Sequence, residues 1–239
     1  MMKSYLLSLL WCLCAGPVLS AELPEYDLSG YKSLYDGQGL SAWNWDAGHE
    51  GHWVANGEVL HYDGASKAKD KNLWTKESYK DFTLVFDWRW VDFEGEKKLQ
   101  RPLLDPLTGG TKLDESGKPI KLEVIELDSG VYLRGNSRSQ VNLWNWPCGS
   151  GEVYGYRTWR KLSQVQRAAL VPKMKADRPL GEWNRMRITL RGDLLTVDLN
   201  GQRVIDNAQL PGVPASGPIA LQHHGSKIEF KQVMIRSFD

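Results

Sequence analysis

A period of two in the hydrophobic pattern constrains this chain more than any other feature. The stretch Asp81-Phe-Thr-Leu-Val-Phe-Asp-Trp-Arg-Trp90 puts Phe82, Leu84, Phe86, Trp88 and Trp90 on one face and Thr83, Val85, Asp87 and Arg89 on the other. Side chains alternate across a strand, so this spacing suits a β-strand with one face in a core and does not suit an amphipathic helix. Met186–Gly201 reads as strand, Gly192-Asp193 turn, strand. Asn200-Gly201 then supplies a strong two-residue hairpin signal leading into Gln202–Ile205. Val131–Arg134 and Gln140–Trp144 form a pair around residues 135–139. Pro218–His224 and Lys227–Phe238 read as two more strands around Gly225-Ser226. Gln164–Leu170 is the one short helical stretch. The pattern predicts an all-β fold, a two-sheet antiparallel β-sandwich. Two polar connections interrupt it, residues 94–121 and 152–181. The first is too long for a plain hairpin loop and is expected to lie over one end of the sandwich.

Residues 1–20 have the layout of a secretory signal: Lys3, the apolar run Tyr5–Leu13, then Val18-Leu19-Ser20 before Ala21. Residues 21–239 are expected to form one exported domain, periplasmic or extracellular. Two of the three cysteines fall in the leader, leaving Cys148 with no partner for an internal disulfide. No later stretch approaches the roughly 20 apolar residues of a membrane-spanning helix. The charges balance, 30 Lys+Arg against 29 Asp+Glu, without a basic cluster, which argues against a nucleic-acid partner. Export also argues against chemistry on a freely diffusing nucleotide cofactor.

Tryptophan is abundant, with eleven in the chain. Most are expected in core or rim packing, and a few on an open sheet face would suit the apolar faces of sugar rings. Trp144 shares strand parity with Gln140 and Asn142, so three ligand-capable side chains project together. Parity in Ile219-Ala-Leu-Gln-His-His-Gly225 puts Gln222 with His224, opposite Ile219, Leu221 and His223. His224 reads equally as a hydrogen-bonded structural histidine and as a general base titrating near neutral pH. In Asp128-Ser-Gly-Val-Tyr-Leu-Arg134, the residues Gly130, Tyr132 and Arg134 share a face. Arg134 suits an oxyanion clamp or an ion pair with Asp87 or Asp128. Asp87 and Arg89, on the polar face of their strand, join the substrate-binding candidates. No paired-His or paired-Cys metal motif occurs, and His49-Glu-Gly-His52 has the wrong spacing for a zinc helix. The Glu-x-Asp-x-x-Glu strand of laminarinase-type glycosidases is missing, since Glu126-Leu-Asp128 is followed by Val131. That disfavours the two-carboxylate mechanism.

Six short segments, in order, carry a resemblance. They are Leu34-Tyr-Asp-Gly-Gln-Gly-Leu-Ser-Ala-Trp43, Leu73-Trp-Thr75 with Tyr79-Lys-Asp-Phe82, Asp128-Ser-Gly-Val-Tyr-Leu-Arg-Gly135, Gly181-Glu-Trp-Asn184, Leu199-Asn-Gly201, and Gly217-Pro-Ile-Ala-Leu-Gln-His-His-Gly225. Together they resemble the 3-keto-disaccharide hydrolase family, formerly a domain of unknown function. The resemblance implies a concanavalin A-like jelly roll acting on a sugar whose C3 hydroxyl is already oxidised. A C3 ketone acidifies the C2 proton, so a modest base removes it and the enolate expels the C1 oxygen. The resemblance then implies His224 as base and Arg134, with Gln140 or Asn142, at the enolate oxygen. A divalent cation could share that second role, with no ligand set visible. The implied partners are a glycoside substrate and a sugar 3-oxidoreductase upstream. Two departures stand out. Asp128 occupies a position where the family more often has Asn. The strand Ser139-Gln-Val-Asn142 replaces the family's Tyr-Glu-x-Gln and drops its acid, which keeps a non-catalytic carbohydrate-binding module in play as the alternative.

Overall fold

The computed structural model describes residues 22–238. The expected signal segment, 1–20, lies outside the described residues. Two antiparallel sheets face each other across a core. The larger has eight strands: in spatial order β13 (Gln202–Gln209), β12 (Leu194–Leu199), β11 (Asn184–Arg191), β6 (Phe82–Trp90), β15 (Ile228–Ser237), β4 (Val59–Tyr62) and β3 (Trp53–Asn56), with β1 (Lys32–Tyr35) also paired to β15. The smaller has five: β10 (Asn136–Trp144), β9 (Asp128–Leu133), β14 (Ala220–Leu221), β5 (Leu73–Thr75) and β2 (Trp43–Asn44). The fold is the all-β two-sheet sandwich that the alternation predicts, in the jelly-roll form that the resemblance implies.

The central strand β6 shows why. Its apolar face, Phe82, Leu84, Phe86, Trp88 and Trp90, is buried against Val131, Leu133, Val141, Leu143 and Leu221 of the smaller sheet. Each such side chain withdrawn from water contributes about 1.5–3 kcal/mol. The opposite face of β6 is covered too, by side chains of the flanking strands. Thr83 meets Thr189 at 2.9 Å, Arg185 grips Asp87 through two bonds of 2.6 and 2.8 Å, and Arg89 pairs with Glu229 at 2.7 Å. Asp87 and Arg89 therefore belong to the outer face of the eight-stranded sheet, away from the five-stranded face described below. Their expected place among the substrate contacts is corrected on that ground.

Turns follow their residue chemistry. Asn200 and Gly201 both take positive φ, 50° and 82°, as the tight hairpin turn between right-twisted strands requires. The helical stretch is α2 (Gln164–Ala168), closed by a capping box between Ser163 and Gln166. A single-turn helix, α1 (Tyr154–Arg157), precedes it. Residues 94–121 do not form a plain loop. They begin a flap built on a two-stranded hairpin, β7 (Lys98–Pro102) with β8 (Lys121–Ile125). The flap tip lies against α2, and Leu104 packs on Trp144, Cys148 and Val171 in a small second cluster.

Candidate active site

The outward face of the five-stranded sheet carries three rows of side chains that cross its strands. Register places Trp74, Ala220 and Tyr132 in the first row. Ala220 is small enough for its two neighbours to stack above it, ring centroids 5.7 Å apart. Gln222, Gly130 and Asn142 make the second row, tied by the bond from Gln222 N to the Gly130 carbonyl at 2.8 Å. The Gln140 side chain lies over Gly130, and a Cβ at that position would collide with its amide. His224, Asp128 and Trp144 make the third row.

A hydrogen-bonded chain orders the middle of this face. Gln140 Nε2 donates to Gln222 Oε1, and Gln222 Nε2 donates to the Tyr132 hydroxyl at 2.9 Å. Tyr132 accepts that bond and keeps its own hydroxyl proton free to donate. Burial raises its pKa and holds it protonated. At the end of the face the imidazole of His224, 53% exposed, meets Asp128, Nδ1 to Oδ2 3.7 Å. Asp128 lies mostly below the surface. Its Oδ1 is buried with no hydrogen-bond partner, and burial pushes its carboxyl up to about 6 against the opposing pull of His224. At this distance the contact is a through-space pairing of a carboxyl with a half-exposed imidazole, beyond hydrogen-bond reach. Arg101 of β7 stands close by, paired with Glu126 and stacked on Trp146 with its guanidinium carbon 4.5 Å from the ring centre.

Of the residues expected at the site, the structure brings His224, Gln222, Tyr132 and Gln140 together. Of the other five, Asp87 and Arg89 lie on the outer face of the larger sheet, Arg134 leaves the sheet, and Asn142 and Trp144 stay on this face but are covered. Arg134 does not face the sheet. The strand ends at Leu133, and Arg134 and Gly135 form a left-handed turn with φ of 51° and 68°. Parity has no meaning beyond that point. The Arg134 side chain, buried, donates to the carbonyls of Lys80, Gly192 and Pro214 and pairs with Asp81 at 2.9 Å, not with Asp87 or Asp128. Asn142 keeps its parity but is covered, its amide 3.4 Å from Glu152. Trp144 is only 3% exposed. Its indole N–H donates to the Gly149 carbonyl, and Trp146 stacks on it at 4.0 Å beneath the flap. Neither offers a surface to a ligand in this arrangement.

Two acids escaped the sequence reading as site residues. Asp128 shares parity with Gly130 and Tyr132, so its direction was legible and its histidine partner was not. Glu152 comes from the connection after β10 and could not be placed by strand pattern at all. Fully buried, it is paired with Arg157, and burial raises its carboxyl to about 7. Among the described residues no group of three His, Cys, Asp or Glu side chains gathers as metal ligands, so no donor set is assigned to the divalent cation.

A family model described as the 3-keto-alpha-glucoside-1,2-lyase-like domain matches residues 30–236. The chain belongs to this family. The matched span contains both sheets, the flap and every residue of the three rows. No curated protein matches the chain. Among solved structures, three proteins from Parabacteroides distasonis assigned as glycosyl hydrolases share the fold. One superposes with a TM-score of 0.56 at 18% identity, covering 88% of this chain and 95% of its own. A second gives 0.55 at 21% over 93% of both chains, and a third 0.53 at 22% over 87% and 99%. Family membership supports a carbohydrate-active enzyme.

Proposed function

We propose that this protein cleaves 3-keto-glycosides, with His224 as the base and Asp128 as its support. The observation that carries the reading is the His224–Asp128 pair at the end of a row of polar and aromatic side chains. His224 would take the C2 proton of the keto sugar. The electron pair moves onto the C3 oxygen. The enolate then collapses to a C1=C2 double bond as the C1–O bond breaks, and the departing oxygen gains a proton. Water adding across the double bond would complete a net hydrolysis. Such an enzyme works downstream of a sugar 3-oxidoreductase, and export through residues 1–20 would place it with glycan substrates outside the cytoplasm.

The test uses a matched pair of chromogenic glycosides, one with a C3 ketone and one without, against an enzyme-free baseline. Release from the ketone alone, lowered about 10²–10⁴-fold in His224→Ala with folding intact, is the expected outcome. The carbohydrate-binding alternative draws support from the covered Asn142 and the acid missing from β10. Sugar binding with no release from either glycoside would favour it.

A further inference from the structure

Strand parity sets His223 opposite Gln222 and His224, but β14 ends at Leu221 and the structure gives His223 a place of its own. Its ring lies edge-on to Tyr62, with centroids 5.8 Å apart and planes at 80°, and its Nδ1 bonds the Tyr62 hydroxyl. Its backbone N–H donates to Asn72 Oδ1 at 3.0 Å. A Cβ on Gly64 would collide with the Gly225 carbonyl, so the loop that follows Tyr62 lies directly against the turn that carries both histidines. His223 also lines a hollow of about 650 Å³ together with Tyr132, Asn72, Asp46, Asp70, Lys69 and Lys71. The two ammoniums and two carboxylates of this lining cancel, so the hollow selects by its oriented donors and not by net charge.

The bond to Tyr62 fixes which nitrogen of His223 carries the proton. Tyr62 is fully buried, and burial pushes its hydroxyl up to about 12, so it keeps its proton. Its oxygen already accepts the Ser66 N–H at 3.3 Å. Among the described residues, the acceptor that meets its own proton is His223 Nδ1. A proton on Nδ1 would face the Tyr62 proton across a dry contact, with no water to relieve either. The network therefore assigns His223 the neutral tautomer with its proton on Nε2. Burial, helped by the charges of Lys71 and His224 and opposed by Asp63, lowers the pKa of the ring and keeps it neutral. Nδ1 is engaged by Tyr62, so Nε2 is the nitrogen left for the hollow, and there it acts only as a donor. His224 is the next residue, its Cα ~3.8 Å away. In a keto sugar the acidic C2 proton and the C3 oxygen are likewise carried on neighbouring carbons.

We propose that His223 is the neutral electrophile of the reaction, its Nε2–H donating a hydrogen bond to the C3 oxygen while His224 removes the C2 proton. No proton leaves His223. The pair from the C2–H bond moves onto the C3 oxygen, the donated bond strengthens as charge gathers there, and the pair returns as the C1–O bond breaks. An imidazole held neutral supplies this donor without a second positive charge beside the proton that His224 accepts. Tyr62 is the positioning residue. The inference rests on the cleavage reading above, and the tests separate the two. Nitrogen NMR of the full chain with labelled histidine should show His223 protonated on Nε2 and bare on Nδ1 at about pH 7. The opposite tautomer, or an imidazolium, overturns the assignment whether or not any glycoside is cleaved. A 3-keto sugar lacking the glycosidic oxygen should then move the Nε2–H resonance downfield, and an unmoved resonance overturns the contact. In turnover of a chromogenic 3-keto-glycoside, His223→Ala should lower kcat about 10²–10³-fold with KM changed far less. His223→Gln, which keeps a donor, should recover part of the loss. Unaltered kcat in either variant, with the fold intact, overturns the role. Tyr62→Phe should raise the His223 pKa toward its ordinary value of 6.5 and lower kcat, and an unshifted pKa overturns the part given to Tyr62.

Discussion

At the scale of single residues, the site turns on one carboxylate whose burial sets its behaviour. Asp128 stands where the family more often has Asn, and its carboxyl is pushed up to about 6 by burial. In the proposed reaction an ionised Asp128 supports the proton that His224 accepts. The sign follows. Below about pH 6 the carboxyl is protonated and the support is gone; above it, the support is present. kcat/KM on a 3-keto-glycoside should therefore rise as pH climbs through about 6. Asp128→Asn should flatten that limb and lower the plateau about tenfold or more, read from a pH–rate profile of both proteins. Residue-level reading from sequence worked where a residue sits inside a strand, as with Tyr132, Gln140 and Gln222. It failed at Arg134, one position past the end of β9, because a left-handed turn carries the side chain to the carbonyls of Lys80, Gly192 and Pro214.

At the scale of elements, the strands were legible because burial enforces alternation, and the connections were not because nothing local enforces their path. The alternating run of β6 and the Asn200-Gly201 turn identify their elements from a few residues. The flap 94–121 has no such period, and its course depends on where Leu104 finds a buried surface. That surface is made by Trp144, Cys148 and Val171, residues from two other parts of the chain. Trp144 and Asn142 were misread for the same reason. Their strand parity is right, and what covers them comes from the flap and from the connection that leads into α1. Leu104→Ala should remove the flap's main anchor, costing about 2–5 kcal/mol of local docking energy. The expected result is faster limited proteolysis within 103–120, with the global unfolding midpoint moved much less. An equal change in both would mean that the flap and the sandwich unfold as one.

For the whole molecule, Glu152 is the joint that ties the parts. It bonds Asn142 of β10 and pairs with Arg157 of α1, and Arg157 reaches the Gly109 carbonyl at the flap tip at 3.5 Å. Its folded-state pKa, raised to about 7 from an ordinary value of 4.5, means that the folded chain binds this proton more tightly than the unfolded chain. The contribution is fully present below about pH 4.5 and is lost as pH rises through about 7. Relative to Glu152→Gln, the wild-type protein should lose thermal stability across that window. Melting curves of both proteins between about pH 4.5 and 8 measure the difference, and parallel curves would contradict it. The same joint has a consequence for self-association. β10 is the edge of its sheet, and an open edge is a template on which a second chain can add a strand. Here the backbone of Asn142 is occupied from both sides, its N–H by the Glu152 carbonyl and its own carbonyl by Gly151 N–H. The opposite edge, β2, is two residues long. Sheet growth from chain to chain has little to start from on this face.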